Sequence, residues 1–294
     1  MNETQSSRAG FFYALGAYVF WGALPLYMKA LDHIPAAEIV AHRIVWSVPV
    51  AAILLIILRR TGDIRAAFSQ PSVLVRIGLS AFVITLNWGV YVWAVLNNVA
   101  NEAALGYYIN PLISIVFGYV LLSERLTKAQ WVAVALAAFA VLLLTVQGGQ
   151  FPWVALVLAF SFATYGYIRK TVAIGATQGF LLEVIMLMPF ALCYLLYLAA
   201  QGTGHFGLSS PDLWLLLGCG PVTAVPLILY AFGARALRLS TIGIMQYIAP
   251  SLIFLLAFFV FNEDVTVPKL TAFAIIWTAL AIYSWSMFRG SKTA

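Results

Sequence analysis

Charge is what this chain has least of. Only 9% of its 294 residues are charged while 63% are hydrophobic, too little polar surface to cover a water-soluble fold of this size. Cysteine is almost absent as well. Cys193 and Cys219 both fall inside apolar runs, where they read as small hydrophobes and not as a disulfide framework. The three histidines, His33, His42 and His205, are scattered along the chain, and no Ser-His-Asp, His-x-x-x-His or metal-ligand spacing occurs. No metal, no cofactor and no catalytic site is therefore expected, with an intramembrane lipid-modifying enzyme as the distant alternative. Loops long enough to hold a recognition domain are missing too, which argues against a receptor or scaffold.

What the chain does have is apolar length. Ten continuous runs cover residues 10–30, 36–58, 73–96, 103–122, 129–146, 151–168, 179–200, 213–234, 240–261 and 270–288, each about the 20 residues needed to cross a bilayer as a helix. Continuous rather than alternating apolarity disfavours a β-barrel. The first run follows Arg8 as a secretory signal would, but it is of spanning length and ends in no small-residue cleavage site. It is expected to stay as the first helix. With a cytoplasmic N-terminus, thirteen Lys and Arg side chains fall inside, and only Lys29 and Lys269 fall outside, with Arg43 left within the second run. That bias predicts both termini in the cytoplasm. It also accounts for most of the net charge of +6, so nucleic acid is not an expected partner.

The second half repeats the first at an offset of 139 to 140 residues. Tyr108-Ile109-Asn110-Pro111 lies over Tyr247-Ile248-Ala249-Pro250, Glu124 over Glu263, Thr127 over Thr266, Tyr91 over Tyr230 and Asn87 over Pro226. One residue further, Pro49 falls on Pro189, Tyr27 on Tyr167 and Lys29 on Arg169. Five crossings per copy is an odd number, so the second copy must be inverted. The expected architecture is all-α and integral to the membrane, with ten transmembrane helices in two inverted five-helix repeats, residues 1–147 and 148–294, around a central cavity. Inverted repeats of this kind characterise alternating-access transporters.

Several motifs carry a family resemblance. Phe20-Trp21-Gly22 followed by Pro25, Tyr27 and Lys29, then Asn87-Trp88, Leu105-Gly106-Tyr107-Tyr108-Ile109-Asn110-Pro111, Ser123-Glu124-Arg125, Ala159-Phe160-Ser161-Phe162 and Leu239-Ser240-Thr241 resemble the RarD-type branch of the EamA family. That family belongs to the drug/metabolite transporter superfamily, and the likeness covers essentially the whole chain. It implies an inner-membrane carrier whose helices 1, 3, 4, 6, 8 and 9 surround the cavity. It also implies export of amino acids, aromatic ones included, or of other metabolites and drugs; a chloramphenicol-type or multidrug efflux permease is the alternative.

Polar groups at bilayer depth must find partners or face water, since an unsatisfied amide there costs roughly 2 to 7 kcal/mol. Tyr107, Asn110 and Ser114 share one helix face at i, i+3 and i+7, and Asn87 and Tyr91 share another. Such stripes either tie helices together or line a path. Pro25, Pro111 and Pro250 are expected bends or gates, because an internal proline frees a carbonyl. Trp21, Tyr91, Tyr107, Tyr165, Tyr230 and Tyr247 fall on the helices that the family places around the cavity. The predicted substrate site comprises Trp21, Asn87, Tyr91, Tyr107, Asn110, Tyr165, Tyr230 and Gln246.

Charge inside the membrane is scarce, with Arg43, beside His42, and Glu183 the plain cases. Both are functional candidates by default, though Arg43 has the alternative of snorkelling or of pairing with Glu38. No Asp or Glu occupies the central stretches of helices 1, 3, 4, 6, 8 or 9, which favours gradient-driven export or coupling through Glu183 or His42. The expected partners are a small-molecule substrate and the lipid bilayer, with the chain a monomer and a dimer the alternative.

Overall fold

The structure, a computed structural model, describes residues 3–59, 64, 67, 69–97, 100–148, 152–207, 210–260 and 267–290. Glu263 and Thr266, which complete the repeat alignment, lie outside these residues, as do the basic positions Arg60, Arg65 and Lys292. Every regular element among the described residues is helical: α1 (Glu3–Lys29), α2 (Ala36–Ile57), α3 (Pro71–Leu96), α4 (Ala100–Leu121), α5 (Lys128–Gly148), α6 (Trp153–Thr171), α7 (Ala176–Gln201), α8 (Leu213–Ala236), α9 (Leu239–Met245), α10 (Ile248–Phe259) and α11 (Val267–Gly290). They make ten crossings, the ninth shared by α9 and α10. Most helices outrun the apolar segments, because apolarity marks the part in hydrocarbon and the backbone stays helical into the polar flanks. For the same reason α5 runs to Gly148, taking in the start of the polar link that the sequence suggests at 147–150.

Nine crossings among the described residues are long and apolar enough to span a membrane on their own. The tenth, α6, is 19 residues long and ends in Arg169 and Lys170. It is held instead by neighbours: α3 and α4 both pack along it.

Packing reveals the duplication. If each crossing is exchanged with the one five places on, the α4–α6 contact becomes α10–α1, α3–α6 becomes α8–α1 and α2–α8 becomes α7–α3, and all of these contacts are present. The pairs α2–α7 and α5–α11 map onto themselves. Inversion follows from which ends meet. Gly10, near the start of α1, packs against Ala236 and Leu237 at the end of α8, and the Lys170 ammonium at the end of α6 donates to the carbonyl of Ala234 at 3.0 Å and to that of Leu237. The start of α1 and the end of α6 therefore share one end of the molecule, so the matched helices run oppositely.

Helix association in lipid has little hydrophobic drive and depends on close packing of small residues. The α5–α11 seam shows this. Ala133, Ala137 and Ala140 on α5 and Ala272, Ile276 and Ala279 on α11 each recur at i, i+4 and i+7 and are fully buried. At the crossing of α4 and α9, a Cβ on Gly243 would stand 2.8 Å from the Pro111 carbonyl oxygen, so only glycine permits that approach.

The three prolines act differently. Helices α1 and α4 run unbroken through Pro25 and Pro111, whereas the ninth crossing is interrupted at Gln246 and Tyr247, just before Pro250. There the Tyr247 N–H bonds to Ile244 and the Ala249 N–H to Gln246, at 3.2 Å each, in the tighter i−3 pattern. The second half thus carries a helix break at this place that the first lacks. In the first, the Tyr247 hydroxyl braces α4 by donating to the Tyr108 carbonyl at 3.0 Å.

Candidate substrate cavity

A cavity of about 460 Å³ lies between the two halves. From α1 it is lined by Trp21, Leu24, Pro25, Met28 and Lys29, from α3 by Asn87, Trp88 and Tyr91, and from α4 by Ala104, Gly106, Tyr107, Tyr108 and Asn110. The second half adds Leu158 and Phe162 of α6, Leu227 of α8, and Gln246, Ala249, Pro250 and Ile253 of the ninth crossing. These are the six crossings that the family resemblance implies. Arg43 brings in a seventh, α2.

The cavity runs to the end of the molecule where Met28, Lys29 and Ala104 sit, and it is closed at the other. Trp21 and Phe162 form its floor, 5.7 Å apart edge to face. Beneath them Tyr18, Tyr165 and Tyr230 pack as a plug, with Tyr165 stacked on Tyr230 at 6.2 Å and the Tyr18 hydroxyl donating to the Ile242 carbonyl at 2.9 Å. Ring pairs of this kind add about 0.5 to 1.5 kcal/mol each beyond the area they bury. Further along, the Glu124 carboxylate accepts from the Leu239 and Ser240 N–H groups at 2.6 and 2.9 Å and from the Ser240 hydroxyl at 2.6 Å. This caps the start of α9 and locks the loop after α4 against it. The closed end also carries Arg125, Arg169, Lys170, Arg235 and Arg238.

Of the eight residues predicted for the site, Trp21, Asn87, Tyr91, Tyr107, Asn110 and Gln246 line the cavity, as do Pro25 and Pro250. Tyr165 and Tyr230 are 1% exposed and belong to the plug, while Tyr91 and Tyr107 are 39% and 47% exposed. Pro111 is also off the cavity surface, with its carbonyl turned to Gly243. Trp88, the neighbour of Asn87, and Phe162 also line the cavity; they lie in the Asn87-Trp88 and Ala159-Phe160-Ser161-Phe162 motifs but are not among the predicted residues.

Among the lining amides, Asn87 is used mainly for helix ties. Its Nδ2 donates to the Leu158 carbonyl and to the Ser161 hydroxyl, both at 2.9 Å, joining α3 to α6. Asn110 makes a long contact at 3.4 Å with the Ser114 hydroxyl. Among the described residues the buried Gln246 Oε1 has no hydrogen-bond partner, an acceptor left open beside the cavity. By helix geometry, Pro25 and Pro111 also remove the donors that would have bonded the Trp21 and Tyr107 carbonyls.

The charged candidates separate. Glu183 lies outside the cavity wall in a sealed pair with Arg169 at 3.3 Å, and it accepts from the Ser80 hydroxyl at 2.6 Å and the Tyr165 hydroxyl at 3.3 Å. Arg43 does not pair with Glu38. That carboxylate is held by the backbone N–H and Nδ1 of His205 at 2.7 and 2.8 Å, and lies 3.9 Å from His42. His33 completes the group, its ring 6.2 Å from that of His205 and its Nε2 3.1 Å from Asp212. The histidines that look scattered in sequence are therefore gathered at the open end, away from the cavity wall. Among the described residues no group of three or more side chains is placed to hold a metal ion.

Ten crossings, two inverted halves and a cavity open to one end define a membrane transporter of the drug/metabolite type. The EamA-like transporter family matches residues 8–146. An uncharacterized transporter of Pseudomonas aeruginosa is 44% identical over 98% of this chain and 97% of its own length. Protein RarD of Escherichia coli is 42% identical over 96% and 95%, and a chloramphenicol-sensitive protein RarD of Pseudomonas aeruginosa is 34% identical over 96% of each. A solved crystal structure superposes with a TM-score of 0.72 over 96% of this chain and 98% of its own, at 20% identity, a likeness of fold alone. The chain belongs to the RarD-type branch of the EamA-like transporter family.

Proposed function

We propose that this protein is an inner-membrane carrier, not an enzyme, that exports small amphiphilic metabolites, above all amino acids with aromatic or apolar side chains. The observation that carries this reading is the cavity wall: ring faces and phenolic hydroxyls from Trp21, Trp88, Tyr91 and Tyr107 stand opposite the open acceptor of Gln246. Rings offer an apolar body both contact area and edge hydrogen bonds. The unpaired Gln246 oxygen, costly when left dry, suits an ammonium group.

With the basic ends in the cytoplasm, the closed end faces inward, and the structure is the outward-open state of a cycle in which repeats 1–147 and 148–294 rock about the cavity. The working unit is a monomer. Among the described residues no carboxylate lines the cavity, which supports transport down the solute's own gradient without a proton at the binding site.

The test is counterflow of labelled phenylalanine in proteoliposomes, with and without a pH gradient, with chloramphenicol as the competing cargo. Saturable phenylalanine counterflow that is indifferent to the pH gradient is expected, and the double substitution Asn110→Leu, Gln246→Leu should lower it at least about tenfold. Chloramphenicol transport with no phenylalanine counterflow would overturn the amino-acid reading in favour of drug efflux.

A further inference from the structure

The offset that lays Lys29 on Arg169 and Pro49 on Pro189 also lays Arg43 on Glu183. In the second half the two matched charges are opposite, buried and joined at 3.3 Å. In the first they are both positive, and both line the cavity. Among the described residues no Asp or Glu lines the cavity beside Arg43.

Arg43 is held but not neutralised. Its Nε donates to the Thr223 hydroxyl at 2.8 Å, and its guanidinium carbon lies 5.2 Å from the centre of the Trp88 ring. Among the described residues no carboxylate comes within 4 Å of it: Glu38 is engaged by His205 and Glu183 by Arg169. A guanidinium carries five N–H donors in a planar fork, so the Thr223 bond leaves four. A cation at bilayer depth is retained where it pairs or faces water. This one is braced on one side by a hydroxyl and a ring and opens on the other to the substrate space.

Resting on the carrier reading above, we propose that Arg43 is the anchor for a carboxylate on the transported molecule. The cavity then selects solutes that bear a carboxylate next to an apolar or aromatic body over neutral and cationic analogues. The fork accepts the two oxygens side by side, Trp88 fixes its plane, and the rings of Tyr91 and Tyr107 take the body. Zwitterionic amino acids satisfy this arrangement through their carboxylate. Chloramphenicol, having none, does not.

The experiment uses the full-length protein in proteoliposomes, comparing counterflow of phenylalanine, N-acetylphenylalanine and phenylalaninamide. The wild type is expected to favour both carboxylates over the amide by at least about tenfold. Arg43→Gln should collapse that ratio to near one, and Arg43→Lys, which keeps the charge but loses the fork, should restore part of it. Thr223→Val, which only loosens the Nε brace, should raise the KM for phenylalanine more than it lowers kcat. Equal transport of acid and amide by the wild type would overturn the anchor and leave the carrier reading standing, as would a folded Arg43→Gln protein that keeps the preference. A wild type that carries none of the three would overturn the carrier reading and the anchor together. The wild-type comparison decides even if the Arg43 variants do not fold.

Discussion

Two positions inherited twice have had opposite fates. In the second half, Arg169 and Glu183 close on each other, with Ser80, Tyr165 and the Ala176 carbonyl supplying further bonds. In the first, Lys29 and Arg43 face the space through which a solute passes. A buried ion pair is weak as a source of stability but expensive to break on one side only. A guanidinium such as that of Arg43, with no carboxylate within 4 Å among the described residues, is tolerated where something else completes it. The duplicated site has thus divided its labour, one copy setting the packing of α3, α6 and α7 and the other giving the cavity its sign.

That contrast can be broken by substitution. The largest effect is expected from Glu183→Leu, which strands the Arg169 guanidinium: about 3 to 5 kcal/mol of stability should be lost, read as a fall in the thermal midpoint in detergent. Adding Arg169→Met should recover most of it; no loss in the single variant would mean that the pair is not what seals this half. At the matched position, Arg43→Gln strands no charge and removes one hydrogen bond and one ring contact. About 1 to 2 kcal/mol is expected, and a loss as large as that of Glu183→Leu would erase the distinction. Tyr165→Phe, which takes one hydroxyl from Glu183, should cost about 0.5 to 1.5 kcal/mol and leave the KM for phenylalanine within about twofold, because the ring belongs to the plug. Smallest of all is Ser114→Ala, whose contact with Asn110 is long at 3.4 Å. It should change stability by under about 0.5 kcal/mol, and a larger loss would show that the Asn110 amide depends on this hydroxyl for its orientation.

Most of the architecture is legible in the chain because the signals are local. Apolar length marks the crossings, Lys and Arg mark the loops, and a constant offset of matched Pro and Tyr marks the repeat. Six of the eight residues predicted for the site line the cavity, since a polar group deep in a helix must turn to the interior. Tyr165 and Tyr230 show the limit of that logic. They have the depth of the lining tyrosines, but whether an inward ring meets space or another helix is decided by its neighbours: Glu183 receives the Tyr165 hydroxyl, and Gly166 leaves room for that of Tyr230. Sequence distance hid the rest. Glu38 and His205 are 167 positions apart, and only the antiparallel course of α2 and α7 brings them together. The partner of Arg43 was sought one turn away for the same reason, where Glu38 is the nearest carboxylate along the chain.

The interruption at Gln246 and Tyr247 gives the wall one part that yields more easily than the others. The bonds that cross it are the long i−3 ones of Tyr247 and Ala249, so a swivel of α10 on α9, taking Ala249, Pro250 and Ile253 along, gives up fewer and weaker bonds than bending a continuous helix. The rest of the cavity is built on unbroken rods. Resistance to deformation is therefore uneven around the solute, lowest along one short lever arm in the second half.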